Sequence, residues 1–455
     1  MPKRVLITGA TSGLGQALVA EARASGWSPL LSGRRAQPSL PAEAPYIQGD
    51  IRDAGLQQAL VEAGAYDCAI LNAGQALRGD FFAHSYAEVE RLLETNLLAP
   101  LQIARRLGPL PLKLLGSAAA FAPLADMAVY AASKAGLAAF ARALQGEQRD
   151  AQLWVPAGLN TPMHPQPSAR FQDPDLAARK LWKGSGWIVY PESKARVLDQ
   201  FSRRYLDQGH RRRPLRPLSA TRALVTGASQ GLGKALADAL TQKGVALLGL
   251  DRQDGLSLRY DLADPSTPER LVAQLKGQPP FDLLVHNAGV TWAGDFYAMP
   301  LEQIETIVRV NVISPILLTL ALRQAGLLAK GAGLVAVSSL SHQIGYPYAA
   351  VYAASKSALA VWASLLGRGS DLSVLTLFPG PMDTAQAEIG RLGGKPAPQT
   401  LAPERVAAQL VAALEQRRRG SLIPHPTNRI LSLLGRRIAP HWMTAAFGRQ
   451  QRRYL

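Results

Sequence analysis

The sequence predicts an α/β protein built from two tandem, doubly wound parallel-sheet domains. Three observations carry that prediction. A glycine-spaced phrase occurs twice, apolar runs alternate with helical patterns, and 455 residues exceed what one core usually fills. "TGATSGLG" opens at Thr8 and "TGASQGLG" at Thr226. The repeat runs well past that phrase. Gly15 is matched by Gly233, Asn72 and Asn96 by Asn287 and Asn311, and Ser117 and Tyr130 by Ser339 and Tyr352. The offset drifts only from 215 (Asn72 to Asn287) to 233 (Pro191 to Pro424), as a duplication with a few loop insertions would give.

Each half opens on an apolar stretch, "RVLITG" or "RALVTG", which reads as a buried strand. A helical pattern ended by glycine follows, "GQALVAEARASG" or "GKALADALTQKG", and then a second apolar run, "SPLLSGRR" or "VALLGLDRQ". Strand, helix and strand joined by short glycine-rich turns indicate a parallel sheet covered by helices. The expected domains are residues 1–208 and 220–427. They are joined by the basic, proline-rich linker 209–219, "GHRRRPLRPLS", and followed by a basic amphipathic segment, 428–455.

Hydrophobic residues at 47% supply two cores, and charged residues at 18% are ordinary for a globular chain. The one cysteine, Cys68, rules out an internal disulfide framework and reads as strand packing. The net charge of +17 is localised. Residues 203–216 hold six arginines and one acid, and residues 416–455 hold nine arginines with no acid or lysine, together 14 of the 17. Two near-neutral bodies with basic ends, lacking aromatic platforms between the basic residues, argue against nucleic acid as the partner. Val5–Ile7 is too short for a signal-peptide core, and no uninterrupted apolar run appears long enough to span a bilayer. A cytoplasmic protein is expected.

The glycine phrase fits the turn from the first strand into the first helix. Gly9 and Gly227 suit turn conformations closed to other residues, while Gly13 and Gly231 allow a pyrophosphate close to the backbone. Gly15 and Gly233 let the helix pack tightly. The helix N-terminus, with Ser12 and Leu14 in one copy and Gln230 and Leu232 in the other, offers N–H groups to the anion. Asn72-Ala73-Gly74 and Asn287-Ala288-Gly289 end later apolar runs, where ligands bind in open α/β sheets. Asp50 and Asp261 end earlier strands as adenine contacts or as simple turn residues.

Then come "SAAAFAPLADMAVYAASK" and "SLSHQIGYPYAAVYAASK". Tyr130 and Lys134, like Tyr352 and Lys356, are four apart and share a helical face. A lysine ammonium there is expected to lower the phenol pKa, so that tyrosine exchanges a proton with an alcohol or ketone while a nicotinamide exchanges hydride. Ser117 and Ser339 are placed to hold the substrate oxygen.

With these motifs in order, both halves resemble the short-chain dehydrogenase/reductase family, over nearly the whole chain. The resemblance implies Rossmann-like domains and catalytic sets Asn96, Ser117, Tyr130, Lys134 and Asn311, Ser339, Tyr352, Lys356. It also implies a proton relay through Asn and Lys, and a grip of Lys on the nicotinamide ribose. The family's Pro-Gly-x-x-x-Thr loop is intact as Pro379, Gly380 and Thr384, whereas the first half reads Pro156, Ala157 and Thr161. The first half also spaces its Asn and Ser seven positions closer, 21 apart against 28.

At the end of the second strand, Asp251 favours NAD in the second half, because a carboxylate binds the ribose hydroxyls and repels a 2′-phosphate. The same spacing in the first half reaches Gly33, followed by Arg34 and Arg35, which favours NADP. No metal is expected. The partner is a small alcohol or ketone, with a hydrophobic one favoured. Family members commonly pair through helices that include the Tyr-Lys helix, so fusion is expected to make that pair intramolecular, with a further homo-oligomer left open. Segment 428–455 reads as a lid over the second site, with an anionic membrane surface as the alternative. The competing functions are one working half with a scaffold half, and a nucleotide sensor without turnover.

Overall fold

The computed structural model describes residues 2–36, 44–163, 171–184, 221–253, 258–341, 346–383, 400–416 and 419–424, with the backbone alone for 187–190. The linker 209–219, the segment 428–455 and Thr384 lie outside the described residues.

In the first half the strands are β1 (Arg4–Thr8), β2 (Ser28–Gly33), β3 (Tyr46–Gln48), β4 (Cys68–Leu71), β5 (Leu112–Leu115), β6 (Ala151–Pro156) and β7 (Trp187–Tyr190). Between them run α1 (Leu14–Ala24), α2 (Ala54–Glu62), α3 (Tyr86–Leu93), α4 (Ala99–Leu107), α5 (Ala128–Gly146) and α6 (Pro174–Lys183). The second half repeats the plan with β8 (Arg222–Thr226), β9 (Ala246–Asp251), β10 (Leu258–Arg259), β11 (Phe281–His286), β12 (Leu328–Val337), β13 (Ser373–Leu377) and β14 (Gly420–Leu422). Its helices are α7 (Gly231–Gln242), α8 (Thr267–Leu275), α9 (Leu301–Val308), α10 (Ser314–Gln324), α11 (Ala350–Gly369) and α12 (Pro403–Glu415).

Each half holds one seven-stranded sheet, in the orders β3-β2-β1-β4-β5-β6-β7 and β10-β9-β8-β11-β12-β13-β14. Every pairing is parallel, as crossover helices on both faces require. The order reverses between β1 and β4 and between β8 and β11, which opens a crevice at the carboxyl ends of those strands. Strand interiors are apolar and closed to water: Leu6, Ile7, Ile70 and Leu114 are all 0% exposed. Cys68 is buried in β4, and burial pushes its thiol up to about 11, which suits an inert packing residue.

The halves touch through the helices that carry the Tyr-Lys pairs. α5 and α11, both rich in alanine and buried nearly all round, lie against each other. Ser357 Oγ donates to the Ala135 carbonyl at 3.2 Å, and a Cβ on Gly136 would lie 3.2 Å from the Ala354 carbonyl oxygen. Around this seam Phe140 meets Phe296 edge-on at 4.9 Å and Phe81 meets Trp362 at 5.9 Å. Arg309, only 13% exposed in its side chain, reaches across to Glu90 and Glu94 while also binding Glu305.

By length and composition, Leu301–Gln324 and Ala350–Gly369 are apolar enough to cross a membrane, but neither is an uninterrupted apolar run, and both are mostly buried inside the fold as core helices are.

Candidate active sites

The crevice in each half is laced together by a threonine. Thr8 Oγ1 accepts the N–H groups of Asn72 and Ala73, both at 3.1 Å, and Thr226 Oγ1 does the same for Asn287 and Ala288. Asn72 Nδ2 donates to the carbonyls of Thr8 and Gly9 at 3.0 and 3.1 Å, and Asn287 Nδ2 binds Thr226 and Gly227 likewise. The amide nitrogen of each asparagine is therefore committed to the glycine turn and helps shape the crevice.

Gly9 and Gly227 hold φ of 67° and 65°, and Gly13 and Gly231 hold 54° and 53°, so four turn glycines occupy left-handed backbone. A Cβ on Gly15 would lie 2.0 Å from the Gly9 carbonyl oxygen, and on Gly233 1.8 Å from that of Gly227. No side chain substitutes there without moving backbone. A Cβ on Gly13 would stand 3.0 Å from the Thr161 Cβ, so Thr161 overhangs the glycine turn and closes a narrow cradle. α1 and α7 start without a side-chain cap or an acid in the first turn, leaving their N–H groups and positive dipole ends for an anion. Ser12 is half-buried and Gln230 exposed at these starts, whereas the Leu14 and Leu232 side chains are buried and present only backbone. A dinucleotide pyrophosphate fits this donor set.

The residues at the ends of β2 and β9 differ. Asp251 accepts from Ser229 through N–H at 3.2 Å and Oγ at 2.6 Å, which holds its carboxylate at the strand end. In the first half a Cβ on Gly33 would press on Thr11 at 2.9 Å, so no side chain replaces the missing acid. Tyr46 Oη donates to the carbonyls of Gly33 and Arg35, and Gln48 to that of Arg34, fixing a backbone from which exposed Arg34 and Arg35 project. Asp50 is gripped by Arg52 at 3.0 and 3.1 Å. Burial works to raise the Asp50 pKa, but the Arg52 hydrogen bonds and charge outweigh it and hold the carboxyl below its ordinary value. Asp261 caps its own turn through Ala263 N–H at 2.8 Å. Both carboxylates are turn residues in this structure.

The chemistry lies opposite. Asn96 and Asn311 sit in single π-helical turns, Glu94–Leu98 and Arg309–Ile313, that interrupt the long helices. Each is fully buried and clamps the residue after the Asn-Ala-Gly motif. Asn96 accepts from Gln75 N–H at 2.9 Å and donates to its carbonyl at 2.8 Å, and Asn311 treats Val290 the same way, both at 2.9 Å. Both also donate to a serine, Ser133 or Ser355, whose Oγ in turn bonds the Tyr130 or Tyr352 carbonyl. Motif spacing alone does not pick out those serines or Thr8 and Thr226. Their signal was present in the repeats of "YAASK" and "TGA".

Lys134 Nζ donates to the Leu115 carbonyl at 2.8 Å and Lys356 Nζ to that of Val337 at 3.0 Å, each at the end of a central strand. Gly74 and Gly289 lie against them: a Cβ there would be 3.5 and 3.0 Å from the ammonium. Burial lowers both lysines to about 8. The phenols of Tyr130 and Tyr352 are raised, chiefly by burial, with the Ser117 and Ser339 hydrogen bonds opposing. The expected lowering by lysine is thus corrected. Each Nζ stands 5.9 or 5.8 Å from the ring centroid and is itself stripped of water, so desolvation of the phenolate wins. Arg78, missed by motif reading, adds a lowering influence on Tyr130 while one Nη touches Met127 Sδ at 3.4 Å. Residue 293, its counterpart, is alanine.

The first half's departures leave the site geometry in place. Gly380 adopts no left-handed backbone, so Ala157 replaces it without strain, and the bridge Leu159↔Gln172 repeats Met382↔Leu401. Pro379 is buried beside Gly380. The seven extra residues of the second half fall in a longer α10 and in the early part of β12, at the end of the strand away from Ser339.

A model of the short chain dehydrogenase family matches twice, at residues 3–169 and 221–390. Glycine betaine reductase ATRR of Emericella nidulans is 32% identical over 263 residues, 52% of this chain and 20% of that protein, so the chain spans a fifth of this relative's length. The 3-oxoacyl-(acyl-carrier-protein) reductase FabG of Escherichia coli is 27% identical over 38% of this chain and 84% of its own. Ketoacyl reductase HetN of Nostoc is 30% identical over 35% of this chain and 63% of its own. Among solved structures, an A1-type ketoreductase superposes over 93% of this chain and 88% of its own, with TM-score 0.56 and 19% identity. That likeness is one of fold, and it extends across both halves.

Proposed function

The chain belongs to the short-chain dehydrogenase family, in two tandem copies, and is an NAD(P)-dependent oxidoreductase acting on CH–OH groups; from that premise we propose that both halves turn over, each interconverting a secondary alcohol and a ketone. What supports two working sites is the complete Asn, Ser, Tyr, Lys set in each half, tied into matching hydrogen bonds. A nicotinamide bound in the crevice supplies or accepts the hydride. Ser117 and Ser339 hold the substrate oxygen, and Tyr130 and Tyr352 give it a proton or take one from it. Burial raises both phenols and the Ser117 and Ser339 hydrogen bonds oppose it, so the serines are the groups that ease proton transfer in this reading. In this reading Lys134 and Lys356 bind the ribose hydroxyls.

The cofactor assignment is NADP for the first half and NAD for the second. Exposed Arg34 and Arg35 in one, and the Ser229-anchored Asp251 in the other, support it. The contact of α5 with α11 supports reading the fused halves as an internal counterpart of a subunit pair. The names of two relatives make a ketone on an acyl chain the first substrate to try, and a hydrophobic substrate agrees with the sequence of the C-terminal segment as a lid.

The test is a screen of 3-oxoacyl thioesters, steroids, hydroxylated lipids and sugars with NADH and NADPH, using Tyr130→Phe and Tyr352→Phe to assign turnover to a half. Turnover in the screen, split between the two variants, supports the proposal. Full activity in either variant removes that half from the catalytic reading.

A further inference from the structure

The corresponding ends of the two catalytic helices do different things. Glu147 follows α5, is 6% exposed, and crosses into the second half, where its Oε1 accepts the Tyr348 N–H at 2.7 Å. Tyr348 stands four residues before Tyr352 and holds φ of 62°, one of two non-glycine residues in left-handed backbone among the described residues. Its carbonyl accepts from Gly294 N–H at 2.7 Å, in the loop that leaves the Asn287-Ala288-Gly289 motif. A strained residue at the threshold of the catalytic helix is therefore held from both sides, and one hold comes from the other half.

Among the described residues the reverse arrangement has no such hold. Gly79 N–H donates to the Asp126 carbonyl at 2.9 Å, repeating the Gly294 bond. However, Asp126 lies in a 3₁₀ turn, Ala125–Met127, without a positive φ. The counterpart of Glu147, at the same offset of 222 that relates Tyr130 to Tyr352, is Gly369. It simply packs on Ala125, with a Cβ there 3.2 Å from that of Ala125.

We propose that Glu147 of the first half is a positioning residue for the second active site: its carboxylate fixes the backbone ahead of Tyr352, and the second half returns no equivalent support. The proposal rests on the reading of the second half as catalytic. The chemistry is suited to it. The side-chain oxygen of Glu147, charged or neutral, gives the Tyr348 N–H a directional acceptor that a buried donor needs, and Tyr346, two residues before Tyr348, acts electrostatically on Tyr352. Movement of the 346–349 turn therefore changes the surroundings of the reacting phenol as well as its place.

The experiment uses the full chain carrying Tyr130→Phe, so that remaining turnover belongs to the second half, with Glu147→Ala, Glu147→Asp and Glu147→Gln added in turn. Readouts are amide hydrogen exchange at Tyr348, NADH binding by fluorescence, and reduction of a 3-oxoacyl thioester. Glu147→Ala and Glu147→Asp, the latter keeping the charge but not the reach, are expected to speed Tyr348 exchange and lower kcat about tenfold, with NADH affinity within twofold. Glu147→Gln keeps an oxygen in place and is expected to restore most of the rate. Unchanged exchange, unchanged kcat, or a Glu147→Gln variant as slow as Glu147→Asp overturns the proposal. If Tyr352→Phe leaves turnover intact, the catalytic reading of that half fails instead. The exchange rate needs no turnover and still decides whether Glu147 holds Tyr348.

Discussion

The two halves agree where bonds are made and differ around them. Asn96, Ser117, Tyr130 and Lys134 are superimposable in their contacts on Asn311, Ser339, Tyr352 and Lys356, down to the serine that links Asn to the tyrosine backbone. The rims diverge: Gly33 under Thr11 against Asp251 on Ser229, Arg78 against alanine at 293, Glu147 against Gly369. Proton transfer tolerates little change of geometry, because the reacting groups act over a hydrogen-bond length. In the proposed reading, cofactor preference is set by charges farther out, which can drift without disturbing the proton-transfer groups.

The comparison can be broken first at the phenols. Tyr130→Phe and Tyr352→Phe are each expected to lower their own half's turnover by about 10²–10⁴-fold, the range for losing a general acid, in initial-rate assays. Unequal losses would rank the two sites directly.

Next comes Glu147, which only the first half has. Burial raises its carboxyl to about 7; Asp295 raises it further, the Tyr348 N–H and Arg149 lower it, and Tyr297 faces the same group. A folded-state pKa above the unfolded value stabilises the fold below about 4.5, and that contribution is lost as pH rises through about 7. Denaturant unfolding between those limits is expected to show the parent chain losing on the order of 3 kcal/mol relative to Glu147→Gln. Parallel curves would show that the carboxyl titrates normally.

The cofactor contrast is expected to be somewhat smaller. Asp251→Ala should weaken NADH binding in the Tyr130→Phe chain, and Arg34→Ala with Arg35→Ala should weaken NADPH binding in the Tyr352→Phe chain. Each loss is about 1.5–3 kcal/mol, the worth of a charged hydrogen bond, read by fluorescence titration. Equal preference in both halves before mutation would remove the contrast.

The smallest effect lies at the seam. Gly136→Val places carbon 2.8 Å from Leu97 Cδ1 and 3.2 Å from the Ala354 carbonyl, and is expected to cost about 1–3 kcal/mol in thermal unfolding. Its counterpart Ala358 already carries a Cβ there, so Ala358→Gly should cost only about 0.5–1 kcal/mol as a mid-helix glycine.

The sequence by itself determined the duplication, the parallel sheets, the glycine turns and the candidate catalytic residues. These are written as local patterns, period and spacing, which a chain displays before it folds. Asn72 and Lys134 show the limit of such reading. Both belong to the predicted site, but that Asn72 spends its amide on Thr8 and Gly9, and that Lys134 is desolvated against Leu115, depends on strands brought together from distant parts of the chain. The pKa directions followed from that burial and reversed the expectation for the tyrosines. Glu147 is the fullest case. Nothing in "QGEQRD" marks it, because its partner is 201 residues away and in the other half. Only tertiary structure decides such a contact, since the energy that selects it comes from two surfaces being closed to water together.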